Sequence, residues 1–127
     1  YYTFMNDTNF KYWVAGFIAG EGYFGYGTYK KGVNSGKNWA QLSITLNKND
    51  SDILYEIQKI LEGTIYLQNS KNAIRFCIQK RSSLLKLIKF CDTYMYDCNK
   101  NKQYIEWKKK ILESNYLKEK DIHIQNN

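Results

Sequence analysis

Seven consecutive residues, Gln41 to Asn47, alternate strictly between polar and apolar side chains, and no other segment constrains the fold of this chain as strongly. In an extended segment with this period, Leu42, Ile44 and Leu46 point to the same side. One apolar and one polar face are typical of an antiparallel strand that is covered on one side only. The segment therefore predicts a half-buried β-strand.

Hydrophobic periodicity divides the rest of the chain into helices and further strands. Three predicted helices cover residues 10–19, 82–91 and 101–114, and a fourth has apolar residues at helical spacing from Ile53 to Leu61 and ends at Gly63. The predicted strands cover residues 23–31, 41–47, 64–68 and 74–79, with a turn over residues 31–37 after the first. The expected boundary residues are Asp7 or Thr8 as the first N-cap, Gly20 and Gly22 as the first stop, and Asp50 or Ser51 as the second N-cap.

The order of these elements predicts one α+β domain over residues 1–127. Two hairpins, each preceded by a helix, give an antiparallel sheet with helices packed on one face. Residues 1–7 are expected to form a leader, and residues 118–127 a frayed polar tail.

The charge balance indicates an anionic partner. Nineteen Lys and Arg against 12 Asp and Glu give a formal net charge of +7, which favours nucleic acid. No apolar run is long enough to span a bilayer, so no membrane association is expected.

Chemistry based on cysteine or histidine is disfavoured. Cys77, Cys91 and Cys98 have no C-x-x-C spacing, and His123 is the only histidine. An odd number of cysteines argues against a disulfide scaffold and for a reducing compartment. A single histidine cannot assemble a catalytic triad or a multi-histidine metal site within one chain. Any chemistry must therefore use carboxylates, lysines, backbone groups and bound ions.

The polar face of the predicted sheet carries amide, hydroxyl and basic side chains but no Asp or Glu at the assigned positions. Solvent is the ordinary partner of such a face. However, Gln and Asn can pair with adenine edges, and Arg and Lys with guanine or phosphate. A face that serves only solubility more often mixes Glu with Lys. The composition therefore favours a nucleic-acid-binding surface.

The first predicted helix contains two pairs of small residues four positions apart, Ala15–Gly16 and Ala19–Gly20. Small residues at this spacing allow a second helix to approach closely, although a glycine can also be tolerated inside an ordinary core helix. Glu21 follows at the helix C-terminus, where the macrodipole disfavours a carboxylate unless a cation joins it. Two such helices side by side would create an all-oxygen site suited to Mg²⁺. The alternative is a solvated loop glutamate.

The segment from Val14 to Gly22, VAGFIAGEG, resembles the signature of the LAGLIDADG homing endonucleases. The resemblance extends over residues 10–117 and includes LSITLNKND, residues 42–50, and the late lysine cluster. It implies the αββαββα fold of that family, an antiparallel saddle-shaped sheet with helices on one face. The chain departs from the signature at Ala19, where the first Asp is expected, and has Glu21 where Asp is common.

The resemblance also implies a homodimer that makes double-strand cuts in a long pseudo-palindromic DNA target. Glu21 and the Gly20 carbonyl would hold Mg²⁺, which Mn²⁺ replaces, while Ca²⁺ supports binding without cleavage. Lys100 and Lys102 resemble the family's basic catalytic residues, although each is nearly as well explained as a DNA-backbone or solvent lysine. Asp50 matches a position near the catalytic water, but the helix N-cap is favoured for it. The implied dimer interface consists of Trp13, Ala15, Gly16, Ala19 and Gly20.

The outward strand positions are the expected base contacts. They are Tyr29, Lys31, Gln41, Ser43, Thr45, Asn47, Tyr66, Gln68, Arg75, Cys77 and Gln79. The expected phosphate contacts are Lys30, Lys37, Lys48, Lys71 and Lys80. Gly25 and Gly27 are expected to leave room for bases or water.

Three alternatives stay open. The chain can be a cleavage-deficient RNA- or DNA-binding protein such as an intron splicing maturase, a dimeric DNA binder of the transcription-factor kind, or half of a two-motif protein. Abundant Lys, Asn, Ile and Tyr with no proline indicate an AT-rich gene, which favours an organelle, and a mitochondrion over a chloroplast.

Overall fold

The computed structural model describes residues 7–95 and 98–113. The helices are α1 (Asp7–Glu21), α2 (Ser51–Gln58), α3 (Arg81–Tyr94) and α4 (Asn99–Glu113). The strands are β1 (Gly22–Thr28), β2 (Asn38–Asn47), β3 (Thr64–Gln68) and β4 (Ala73–Ile78). Single 3-10 turns cover Lys48–Asp50 and Asn69–Lys71. The predicted frayed tail, and the predicted leader apart from Asp7, lie outside the described residues.

The four strands form one antiparallel sheet in the order β1-β2-β4-β3. The register places Leu42 of β2 between Phe24 of β1 and Ile78 of β4. Leu42 and Ile78 are almost fully buried, and Phe24 packs against the same core. The two hairpins and the alternation of β2 are therefore confirmed.

The core lies between one face of the sheet and the helices. Val14 and Ile18 of α1, Leu87 and Ile88 of α3, and the buried side chains of the other two helices join the strand residues in a single cluster. Trp107 of α4 donates a 2.8 Å hydrogen bond from Nε1 to a backbone carbonyl of β1. These contacts confirm the predicted α+β architecture. No helix among residues 7–95 and 98–113 has the length and apolarity needed to cross a bilayer.

Several boundaries differ from the prediction near the first helix and strand. Helix α1 begins at Asp7, so Asp7 and Thr8 are helical residues, and it continues through Gly20 to Glu21. Gly22 starts β1, and a Cβ there would lie 2.7 Å from the Ile18 carbonyl oxygen, so this position requires the absence of a side chain.

The first strand is shorter than predicted. It ends at Thr28, so Tyr29 and Lys31 lie in the connection to β2 and not on the sheet. Gly32 and Gly36 adopt φ angles of +85° and +84°, a backbone conformation that turns the chain back before β2 begins. The predicted turn over residues 31–37 is thus present, but it begins earlier.

The later helix boundaries differ by one to three residues. Helix α3 runs from Arg81 to Tyr94 and α4 begins at Asn99, and each is longer at these ends than predicted. Asp50 occupies the N-cap position of α2, as expected, but its side chain makes no capping hydrogen bond. Its carboxylate is therefore not used by the helix.

Candidate active site and nucleic-acid interface

The sheet face opposite the helices, called the outer face below, is the predicted polar surface. Its side chains come from alternate positions of the four strands: Tyr23, Trp39, Gln41, Ser43, Thr45, Asn47, Thr64, Tyr66, Gln68, Arg75 and Cys77. Gln79 directly follows β4. None of these strand residues is acidic, so the face carries no charge that would repel phosphate.

Accessibility varies widely among the predicted base contacts. Tyr66 is 47% exposed, and Thr45 is exposed as well. Arg75 lies between these two residues in the register of the sheet. By contrast, Cys77 is 4% and Ser43 9% exposed. Burial also raises the pKa of the Cys77 thiol. These two side chains lie on the predicted face but offer little surface to a ligand.

A hydrogen-bonded cluster occupies the centre of the outer face. The Oε1 atom of Gln41 accepts from Arg75 Nη2 at 3.2 Å, from Gln79 Nε2 at 2.8 Å and from Cys77 Sγ at 3.4 Å. The other amide predicted to read bases on this strand, Asn47, accepts a 2.9 Å hydrogen bond from the backbone N–H of Asn49. Both amides are thus held in place by the chain itself.

Trp39 is one of three outer-face residues absent from the predicted contacts, together with Tyr23 and Thr64. Its indole covers β1, because a Cβ on Gly27 would lie 2.6 Å from the indole and a Cβ on Gly25 would lie 3.1 Å from it. The prediction that these glycines leave room for bases or water is therefore wrong, since the tryptophan fills that room. Extending the alternation of β2 by two residues would have placed Trp39 on this face. Alternation along β1 and β3 likewise places Tyr23 and Thr64 there.

The candidate catalytic centre lies where α1 meets β1. Glu21 is the last residue of α1 and is exposed. Lys100 of α4 contacts the next residue, because its Nζ donates a 2.8 Å hydrogen bond to the carbonyl oxygen of Gly22. Lys102 is exposed, and its side chain makes no hydrogen bond to a described residue. The structure thus shows a contact to the end of the signature helix for Lys100 and none for the exposed side chain of Lys102 among the described residues.

Glu21 also borders a cleft of about 510 Å³ that two further carboxylates line. Asp50 and Asp52 line the same cleft, together with Trp13 and Phe17 of α1. Within residues 7–95 and 98–113, no three His, Cys, Asp or Glu side chains converge closely enough to hold a metal ion. The exposed carboxylate of Glu21 and the carbonyl of Gly20 are hard oxygen ligands, so they fit a divalent cation if a second set of ligands completes the shell.

One surface of α1 is open. Gly16 and Gly20 are exposed, and a Cβ added at either would meet nothing within 4 Å. Half-buried Trp13 stacks on Phe17 at a centroid distance of 5.3 Å along the edge of this surface. Ala15, however, is 1% exposed and packs into the chain's own core, so its prediction as an interface residue is wrong. Helical periodicity points Ala15 inward beside Val14.

The LAGLIDADG endonuclease family model matches residues 14–111 of this chain. The chain belongs to the LAGLIDADG endonuclease family. The match begins at the first residue of the signature segment and ends in α4, so it contains Glu21, the whole sheet and Lys100. The resemblance seen in the sequence is therefore confirmed, despite Ala19 and Glu21 in the signature.

Two curated LAGLIDADG-related proteins differ in what their names state. The intron-encoded RNA maturase bI4 of Saccharomyces cerevisiae is 31% identical over 90 residues, which are 69% of this chain and 13% of the maturase. The probable intron-encoded endonuclease Cox1-I1b of Schizosaccharomyces pombe is 31% identical over 107 residues, 82% of this chain and 27% of that protein. The chain thus spans a small part of either relative.

Solved structures share the LAGLIDADG fold with this chain. The homing endonuclease I-TnaI has a TM-score of 0.67 at 25% identity, with 78% of this chain and 69% of that one covered. The meganuclease I-AabMI, solved bound to uncleaved DNA, has a TM-score of 0.71 at 25% identity, with coverage of 81% and 36%. I-SmaMI, bound to its DNA target with calcium ions present, matches at a TM-score of 0.74, and its 21% identity shows the fold alone.

Proposed function

We propose that the chain is one subunit of a site-specific DNA endonuclease that makes double-strand cuts in a long pseudo-palindromic target. The observation that carries this proposal is the position of Glu21. Its exposed carboxylate ends α1, the helix on which Gly16 and Gly20 leave an open surface, directly before β1 begins. A carboxylate at a helix C-terminus is electrostatically disfavoured unless a cation joins it.

The proposed active assembly is a homodimer through α1. Gly16 and Gly20 leave a surface on which a second α1 can approach closely, and Ala19 and Trp13 border it. The twofold axis would place two copies of Glu21 side by side. The ten residues of β2 span about 33 Å, or roughly 10 base pairs per subunit, which gives a long target with two related halves.

The Glu21 carboxylate and Gly20 carbonyl of each copy would hold the divalent cation. When bound, such an ion supplies a Lewis acid that activates water and stabilises charge on the scissile phosphate. We propose Mg²⁺ as the ion, Mn²⁺ as a substitute, and Ca²⁺ as an ion that supports binding alone.

The chain's own residues position the scissile phosphate. One ammonium hydrogen of Lys100 is donated to the Gly22 carbonyl, so two further N–H donors remain for a phosphate oxygen or water. Asp50 borders the same cleft as Glu21 with its carboxylate unused by the helix, and is proposed to orient the attacking water. Lys102 is assigned to the DNA backbone. The proposed phosphate contacts in each half-site are the exposed lysines Lys30, Lys37, Lys48, Lys71 and Lys80.

A cleavage selection tests this proposal. The protein is incubated with duplexes randomised over about 24 positions, in Mg²⁺ and separately in Ca²⁺. We expect enrichment of one pseudo-palindromic site, cut in Mg²⁺ and retained uncut in Ca²⁺. Specific retention without cleavage in either ion would contradict the endonuclease proposal.

RNA maturation is the second candidate function, and the maturase relative at 31% identity favours it. Tight binding of folded intron RNA, with no cleaved DNA in the selection, would establish it. Both curated relatives carry names of intron-encoded proteins, which together with the AT-rich composition supports an organellar, preferably mitochondrial, location.

A further inference from the structure

In the cluster at the centre of the outer face, the side-chain oxygen of Gln41 is fully occupied as a hydrogen-bond acceptor. A carboxamide oxygen has two lone pairs, and Oε1 of Gln41 already meets three donors, from Arg75, Gln79 and Cys77. The orientation of this amide is fixed chemically, because a guanidinium only donates and must therefore face oxygen. Glutamine reads adenine by accepting from N6 while donating to N7. The Oε1 of Gln41 has no capacity left for that contact.

Arg75 gains a defined direction from the same cluster. Its guanidinium extends towards the C-terminal end of β4, with Nη2 3.9 Å from Cys77 Sγ and 3.2 Å from Gln41 Oε1. The guanidinium of Arg75 therefore lies against the Cys77 thiol, and the cysteine is nearly inaccessible to solvent. The two acceptors are only 3.4 Å apart and lie on the same side of Nη2, so one N–H group of Nη2 faces both of them. The second N–H group of Nη2 remains, and with a neighbouring N–H of the guanidinium it forms one two-donor edge. No other described residue accepts a hydrogen bond from it.

We propose that Gln41 is a positioning residue that aims Arg75 at a guanine and contacts no base itself. This inference rests on the proposed function, because it concerns how the outer face reads its DNA. A free two-donor edge on an arginine matches O6 and N7 of guanine in the major groove. Exposed Thr45 and Tyr66 pair with Arg75 on the two neighbouring strands. The arginine is therefore the middle one of three side chains that lie side by side across the outer face. The side-chain entropy lost on binding is smaller when the guanidinium is already held.

The test compares base preferences after binding selection in Ca²⁺ from one randomised duplex pool. Arg75→Lys keeps the charge but removes the fork, and should lower guanine preference at one base pair per half-site by about 5- to 150-fold. Gln41→Met removes the acceptor at similar volume, and should lower preference at that same base pair by about 5-fold or more. The double variant should lose no more than Arg75→Lys alone. Gln103→Met, at an exposed glutamine of α4 outside the outer face, should leave that base pair unchanged.

The outcomes separate this inference from the proposal beneath it. A purely structural role for Gln41 would lower affinity for all sequences equally, without changing the preference at one position. Relaxation at a second base pair in Gln41→Met would show that Gln41 itself reads a base, and would overturn the inference while leaving DNA recognition intact. If the unmodified chain enriches no motif, the proposed function falls, and this inference falls with it.

Discussion

Replacing Gly16 by alanine separates the stability of one chain from the association of two. Gly16 lies in the middle of α1 and is exposed, and a Cβ there meets nothing within 4 Å. Alanine is more favourable than glycine in a helix interior by about 0.8–1.0 kcal/mol. The free energy of unfolding of the isolated chain should therefore rise by about 1 kcal/mol.

Association should change in the opposite direction. If two α1 helices cross at Gly16, the substitution inserts one methyl group from each chain into a close contact, at a cost of about 1–3 kcal/mol. The dissociation constant of the dimer should then increase roughly 5- to 150-fold.

Urea unfolding, followed by tryptophan fluorescence at concentrations below the dissociation constant, measures the first quantity, and sedimentation velocity measures the second. Gly63→Ala is the matched control, because a Cβ there would lie 2.5 Å from the ring of buried Phe76. It should destabilise the isolated chain by about 1–3 kcal/mol. Gly16→Ala chains that are less stable, or that associate as well as the unmodified chain, would refute the reasoning.

Three further outcomes follow from the site and its surroundings. Lys100→Met should lower the cleavage rate about 100-fold with little loss of binding, whereas Lys102→Met should weaken binding slightly, and equal effects on cleavage would contradict the assignment. Half-buried Cys98 should react with iodoacetamide first, because burial raises the pKa of the two other thiols; mass spectrometry gives the order. If Lys102 and the five half-site lysines of each subunit contact phosphate, log affinity should fall with log salt at a slope of about −11 for the dimer, and a flat dependence would place DNA elsewhere.

The fold was largely predictable from local patterns. The alternation of β2 and the helical spacing in α2 are properties of short segments, so their sequences contain the information. The strand order β1-β2-β4-β3 could not be predicted in this way. It depends on the pairing of β2 with β4, which belong to different hairpins and are far apart in the sequence. Alternation also failed where a long side chain crosses to a neighbouring strand, as Trp39 does over Gly25 and Gly27.

The candidate site was only partly predictable for the same reason. The small residues of α1 and the terminal Glu21 are visible in the sequence, but burial decides that Gly16 is open while neighbouring Ala15 belongs to the core. Tertiary structure also decides that Lys100, and not Lys102, donates a hydrogen bond to Gly22, because this contact joins residues 78 positions apart. Spacing along the chain cannot distinguish those two lysines.

The most direct measurement of the central claim is the cleavage rate of a Glu21→Gln chain on the selected duplex in Mg²⁺. Glutamine keeps the shape of the side chain and removes the charge that would hold the ion. We predict unchanged specific binding in Ca²⁺ and no detectable double-strand cleavage, with Glu106→Gln cutting normally. A Glu21→Gln chain that cuts at the unmodified rate would contradict the proposed metal-dependent mechanism.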